Sequence, residues 1–366
     1  MSPAFLFGPI LAGHAFQQTA FIAMVSVLAQ LLGLSESQIG IAIAAGLLMS
    51  AFGPPFAGLL GGRVVIVGAL CGLLMANLAL FGLLGGVASG ISSGLILTVL
   101  IVIRGVQGLS VSCLLMAAQQ ASFEAPDSLK TLAKVQSMGS LGRIGASLSV
   151  GLLVLLSPLA PLVPGAIGAL LSLFRIRNAT PPRLRATARP PDIAAFRVTA
   201  LTQIAVGASQ IGLAPAMMAR LSLSPEAIAG YAGLCLAAAN LGLFLALRLI
   251  VPRAAGQVAR LAGLGLLLAG AFMTIVAHPA AFIVISFVIG GSTAVLFTLN
   301  LSDIMTRKDF AQLQVAGWNG AVQIASLAIG VGLGSAFLTL SSAAPFVIAG
   351  LCGAVLAIFP PQIQRT

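Results

Sequence analysis

Long runs of apolar residues, cut by charges and by clusters of glycine, proline and small polar residues, organise this chain. The runs fall at 5–32, 37–60, 64–86, 91–118, 136–157, 159–175, 197–221, 226–250, 258–277, 279–301, 311–339 and 343–360. A helix needs ~20 apolar residues to cross ~30 Å of hydrocarbon, so the pattern predicts twelve transmembrane helices. The narrowest separations are at 157–164 and around His278-Pro279, where proline and short polar turns replace loops. Ten or eleven spans are the alternative count. One polar connection is long, 175–197, and its Thr180-Pro181-Pro182 and Arg189-Pro190-Pro191 favour an extended course. It leaves six runs on each side. The expected domains are therefore 1–176, a linker at 177–196, and 197–366.

Composition agrees with a membrane location. Of 366 residues, 59% are hydrophobic and 7% charged, against roughly 25% charged in soluble domains. That is too little charge to cover a water-facing surface, which removes soluble enzymes, nucleic-acid binders and secreted disulfide scaffolds as first readings. The net charge of +11 then reads as topology rather than as a polyanion site. With a cytoplasmic N-terminus, every Lys and Arg but two falls on the cytoplasmic side. These are Arg63, Lys130, Lys134, Arg143, Arg175, Arg177, Arg183, Arg185, Arg189, Arg197, Arg248, Arg253, Arg260, Arg307, Lys308 and Arg365. Arg220 falls outside and Arg104 within a span. Both termini are expected in the cytoplasm. No basic segment precedes the first apolar run, so a cleaved signal is not expected. Cys71, Cys113, Cys235 and Cys352 lie in apolar runs without paired spacing and read as packing residues.

A weak internal repeat supports the division. Leu34-Ser35-Glu36-Ser37-Gln38-Ile39-Gly40 enters the second run, and Leu223-Ser224-Pro225-Glu226-Ala227-Ile228-Ala229-Gly230 enters the eighth. A helix-starting serine with an acid in the first turn is a generic cap, but matched caps at the same place in each half suggest duplication. Three motifs carry a resemblance. Arg104-Gly105-Val106-Gln107-Gly108 stands in the fourth run. Gly139-Ser140-Leu141-Gly142-Arg143-Ile144-Gly145, continuing to Gly151, opens the fifth. Gly58-Leu59-Leu60-Gly61-Gly62-Arg63 follows the second.

With the twelve-run layout and central basic loop, these motifs resemble the major facilitator superfamily. The fourth-run motif is similar to that family's Arg-x-x-Gln-Gly signature. The fifth-run glycines resemble the drug and metabolite efflux branch, although Ala146 stands where its Gly-Pro pair would place proline. The loop resembles Gly-x-Leu-Ala-Asp-Arg, with Gly62 in the position of the acid. The resemblance implies an all-α polytopic protein of two pseudo-symmetric six-helix bundles, rocking about a central cavity lined by spans 1, 4, 7 and 10. Gly58, Arg63, Gly108, Gly142 and Gly145 become gating or motif residues. Glycines one turn apart also allow close helix packing in lipid, so those of spans 5 and 11 (Gly317, Gly320, Gly330, Gly332, Gly334) are either sliding seams or static contacts.

Polar residues inside hydrocarbon are costly and usually face a cavity or a protein partner. Arg104 is the one charge well inside a run by these boundaries, with Gln107 one turn on. His14, Gln17 and Gln18 form one polar face in the first run, and Gln203 and Gln210 another in the seventh. Asn319 and Gln323, with the lone Trp318, add a cluster in the eleventh, where Trp318 reads as an interfacial anchor or a stacking surface. Asn240 and Asn300 are further candidates for cavity hydrogen bonds or helix bridges. These nine residues (His14, Gln17, Gln18, Arg104, Gln107, Gln203, Gln210, Asn319 and Gln323) are the candidate substrate contacts. His14, which titrates near neutrality in water, is also a candidate proton carrier or a simple hydrogen-bonded donor.

The acids Glu36, Glu124, Asp127, Asp192, Glu226, Asp303 and Asp309 all fall at run ends or in the central loop. Lacking a mid-membrane carboxylate, the cavity is expected to prefer neutral or anionic solutes over cations. No phosphate-binding Gly-x4-Gly-Lys-Ser/Thr loop occurs, and neither cofactor nor metal is expected. The sequence thus points to a monomeric secondary transporter of the inner membrane. It moves a small organic solute by alternating access, with export the preferred direction and protons a candidate coupling ion. The rivals are a proton-coupled importer of the same fold and a non-transporting membrane assembly or sensing protein. An enzyme is not expected.

Overall fold

The computed structural model describes residues 2–60, 62–87, 90–123, 125–126, 128–176, 193–251, 256–306 and 312–361. Among them are thirteen α-helices and no strand. The first six are α1 (Pro3–Ala23), α2 (Val25–Leu32), α3 (Glu36–Leu60), α4 (Gly62–Gly82), α5 (Ser93–Phe123) and α6 (Ser128–Leu156). Then come α7 (Val163–Ile176), α8 (Arg197–Arg220), α9 (Pro225–Leu245), α10 (Gly256–Met273), α11 (Pro279–Thr306), α12 (Gln312–Phe337) and α13 (Ala344–Ile358).

Every apolar run of the sequence holds a helix, and the first holds two, because the chain bends by 76° between α1 and α2. Seven helices (α3, α4, α5, α6, α9, α11 and α12) are long and apolar enough to cross a bilayer, or eight if the bent pair counts as one span. Helices α7, α10 and α13 are apolar but shorter. At 24 residues α8 is long enough, but its threonines and glutamines keep it out of that group. The protein is a polytopic, all-helical membrane protein.

Local chemistry explains several helix ends. Ser35 and Gln38 form a reciprocal capping box at the start of α3. The Ser35 backbone N–H donates to Gln38 Oε1 at 2.8 Å, and the Gln38 N–H to Ser35 Oγ at 3.2 Å. Ser224 caps α9 with a single bond, accepting from the Ala227 N–H at 3.3 Å, with Pro225 at the first helical position. Gly33 closes α2 with φ +61, a left-handed conformation in which a side chain would be strained. Ser26 on α2 donates to the Glu36 carboxylate on α3, tying the bent segment to the next helix.

The outer surface of the bundle is apolar. On α6, Leu141, Ile144, Leu148, Leu152 and Leu155 are 45–70% exposed at helical spacing, a stripe that only lipid would cover favourably. Inside, α1 and α3–α7 pack on one another, as do α8–α13, and the two sets meet along α3–α12 and α6–α9. The repeated glycines sit at these two meetings. A Cβ on Gly40 of α3 would lie 2.7 Å from Ser335 Cβ of α12, and one on Gly151 of α6 would lie 2.6 Å from Gly230 Cα of α9. Only glycine permits that approach.

The extended course expected for the 175–197 connection does not hold at its end. Residues 177–192 lie outside the described residues. However, Ile193–Phe196 form a 3-10 turn rather than extended chain, and Phe196 is buried against Ile304 of α11. Burial of the aromatic ring holds those four residues as the lead-in to α8.

Candidate functional site

Five polar side chains from three helices form a buried network around Arg104. Arg104 (α5) is almost completely buried. Its Nη1 donates to Gln107 Oε1 at 2.6 Å, its Nη2 donates to Gln18 Oε1 of α1, and its guanidinium lies 4.6 Å from the centre of the Phe21 ring. Gln107 Nε2 donates onward to Asn77 Oδ1 of α4 at 2.9 Å, and Gln17 Nε2 donates to the same oxygen at 2.8 Å. A guanidinium has five donors and no acceptor. It therefore forces the Gln107 oxygen toward itself and the Gln107 amide toward Asn77, and so sets the orientation of the chain of amides. Among the described residues, no carboxylate takes part. Arg104 Nε, Gln17 Oε1, Gln18 Nε2, Asn77 Nδ2 and His14 Nδ1 are buried without a hydrogen-bond partner among the described residues.

Beside this network lies a cavity of about 430 Å³. Its polar lining includes Gln18 and Thr19 of α1, Ser140 and Arg143 of α6, Gln203 and Gln210 of α8, Asn240 of α9, Thr293 and Thr298 of α11, and Gln323 of α12. Ile22, Leu213, Leu236, Ile289 and Phe297 supply apolar wall. The cavity thus lies between both sets of helices, and no acid lines it among the described residues. Gln18 belongs to both features, facing the cavity while its oxygen accepts from Arg104.

Of the sequence candidates, Gln18, Gln203, Gln210 and Gln323 line the cavity, whereas His14, Gln17, Arg104, Gln107 and Asn319 do not. Gln17 and Gln18 part company because consecutive helical residues point ~100° apart. Gln17 turns into the α1–α4–α5 packing and Gln18 toward the cavity. Asn319 is buried elsewhere, accepting from Thr199 Oγ1 at 2.9 Å, and Asn300 Nδ2 donates to that hydroxyl at 3.0 Å, so these groups tie α8, α11 and α12 together. Asn240 reaches the cavity, but its amide donates to its own helix at the Leu236 carbonyl, 2.8 Å away. Trp318 lies where side chains are outside the described residues.

Two residues were missed. Arg143, assigned by its sequence position to the cytoplasmic end of a span, is in α6 and lines the cavity; its place seven residues inside an apolar run was the available signal. Asn77, a lone amide in the apolar α4, joins Gln17 to Gln107, and an isolated amide in hydrocarbon is itself such a signal.

The motif glycines act in packing. A Cβ on Gly108 would overlap the Gly46 carbonyl of α3, and one on Gly142 the Ala12 carbonyl of α1; Gly145 faces the Phe16 ring. Gly330 and Gly334 set α12 against α8, while Gly320 faces open space. Gly58 is in α3 and Arg63 in α4, on either side of Gly61, which lies outside the described residues.

The described residues form a bundle of apolar helices around a polar cavity lined by no acid among them, and the solved structures that the chain resembles in fold are transporters. A D-xylose–proton symporter superposes with TM-score 0.72 at 14% identity, covering 99% of this chain and 98% of that one. The nucleoside transporter NupG gives 0.71 at 13%, covering 98% of each. A bacterial homolog of the human lysosomal transporter Spinster, in an inward-facing and occupied conformation, gives 0.68 at 19%, covering 93% of this chain and 82% of that one. The chain shares its fold with these transporters. No family model matches the sequence, and no curated protein matches it.

Proposed function

We propose that the protein is a secondary transporter that carries a small neutral or anionic organic solute by alternating access, with export the favoured direction. Twelve helical crossings, α1 and α2 counting as one, form two six-helix units joined by the basic 177–192 segment, with both ends in the cytoplasm of a bacterial inner membrane. The observation that carries this reading is the cavity. It has contributions from α1 and α6 on one side and α8, α9, α11 and α12 on the other, and amides and hydroxyls rather than acids supply most of its polarity. Seams between the two sets lie at one end of the helices. Gly40 and Gly230 are in the second turns of α3 and α9, while Ser335 and Gly151 are near the ends of α12 and α6. With the N-terminus inside, that end is extracellular, so the proposed state is closed outside and open inward. The fold shared with solved carriers supports transport, and the fifth-span glycines support export.

The test is solute flux in sealed proteoliposomes, with and without an imposed pH gradient, using sugars, nucleosides, amino acids, monocarboxylates and a lipophilic cation. Uptake or exchange of a neutral or anionic member above that of empty vesicles is expected. Flux of the cation alone would overturn the charge preference. Absence of flux for every class would favour a membrane assembly or sensing protein that kept the fold.

A further inference from the structure

We infer that Arg143 is the anion anchor of the cavity, and that the solute is an organic anion with an apolar body. This rests on the transporter reading above and deepens it. Arg143 is the charged residue among those described that line the cavity. It makes no hydrogen bond or ion pair with any described residue, and it is exposed on a helix whose neighbouring Gly142 is pressed against α1. Arg104 differs on every count. It is buried, bonded to two glutamines, set against an aromatic ring, and does not line the cavity.

A guanidinium facing a cavity in a low-dielectric surround is stabilised by a planar anion that takes two of its N–H groups at once. A carboxylate meets that description. Ser140, one turn before Arg143 on the same face, adds a hydroxyl to the same stretch of cavity wall. Leu213, Leu236, Ile289 and Phe297 supply apolar wall in the same cavity, which suits a hydrocarbon body. The cavity's volume falls within the ~300–1,000 Å³ of small-ligand sites. The placement also ties the anchor to the moving part. Arg143 lies eight residues, about 12 Å along α6, from Gly151 at the α6–α9 seam, so an anion held there bears on the helix that must slide against α9.

The experiment measures binding to the purified full-length protein in nanodiscs by isothermal titration, using octanoate, benzoate and 4-phenylbutyrate. Each is compared with its primary amide, which has the same shape and no charge. In the unaltered protein, at least one carboxylate is expected to bind about tenfold or more tightly than its amide, the scale of one charge-assisted hydrogen bond. Arg143→Gln is expected to bring that ratio to about one with little change in amide binding, and Arg143→Lys to retain part of it. Circular dichroism and gel filtration show whether each variant is folded; if Arg143→Gln is not, Arg143→Lys and Ser140→Ala, which should lower the ratio severalfold, carry the test. No carboxylate preference in the unaltered protein, or a preference that survives Arg143→Gln, overturns the inference. Flux separates the two proposals. Transport of neutral solutes without carboxylate preference leaves the carrier and removes the anchor, whereas Arg143-dependent binding with no flux leaves the anchor and removes the carrier.

Discussion

Arg104 and Arg143 show how two identical side chains diverge through their surroundings. Taking a charge out of water is costly, and partners that accept its donors offset that cost. Two amide oxygens and an aromatic face offset part of it for Arg104, with no acid taking part among the described residues. Removing the charge while leaving its acceptors in place should therefore destabilise the protein. Arg104→Met is expected to cost about 2–4 kcal/mol, read as a loss of thermal stability in detergent. Replacing the abandoned acceptor too, as Arg104→Met with Gln107→Leu, should recover part of that loss. If the double variant is less stable than the single by the full cost of a second independent change, the network does not act as a unit. Polarity at these positions was legible in the sequence. Which of Gln17 and Gln18 faced the cavity was not, because one residue of helical rotation decides it and periodicity alone does not set the azimuth of a helix.

At the scale of elements, close approach of helices replaces the hydrophobic drive that lipid removes. The capping serines and glycine repeats that the sequence displays do serve as helix starts and contact points, and the structure adds their partners. Gly40 meets α12 and Gly230 meets α6. A large residue at such a point must pry the helices apart. Gly151→Leu is expected to open the α6–α9 seam, to cost about 1–3 kcal/mol by overpacking, and to reduce flux strongly. Gly68→Leu, where an added Cβ meets nothing within 4 Å and points outward, is the control and should leave flux near normal. Equal losses in both would show that the seam has no special place in transport. The bend of 76° at Met24 is an element-level feature that the hydropathy pattern concealed. Neither proline nor glycine stands at that point, and a continuous apolar run reads as one straight span.

For the whole molecule, the proposed state makes a directional claim. In a background with the four cysteines replaced by alanine, Gln210→Cys places one thiol in the cavity. A membrane-impermeant maleimide should label it in inside-out vesicles and leave it largely unlabelled in intact cells. Labelling mainly from outside would reverse the assigned orientation or the assigned state. Either outcome locates the opening of the cavity, since Gln210 and Gln203 line it from α8 while Gln323 does so from α12.

Membrane residence, helical class and the approximate place of each helix followed from the sequence by itself. A hydrocarbon solvent admits only apolar runs with internally satisfied backbones, and that constraint is local enough to be written in residue order. Tertiary structure alone decided which polar groups came together. Helix rotation buried Arg104 among amides, turned Arg143 from an apparent topology signal into a cavity wall, and recruited Asn77 from an otherwise greasy helix. Each of these depends on contacts between segments distant in the chain, to which the spacing of residues along one helix is blind.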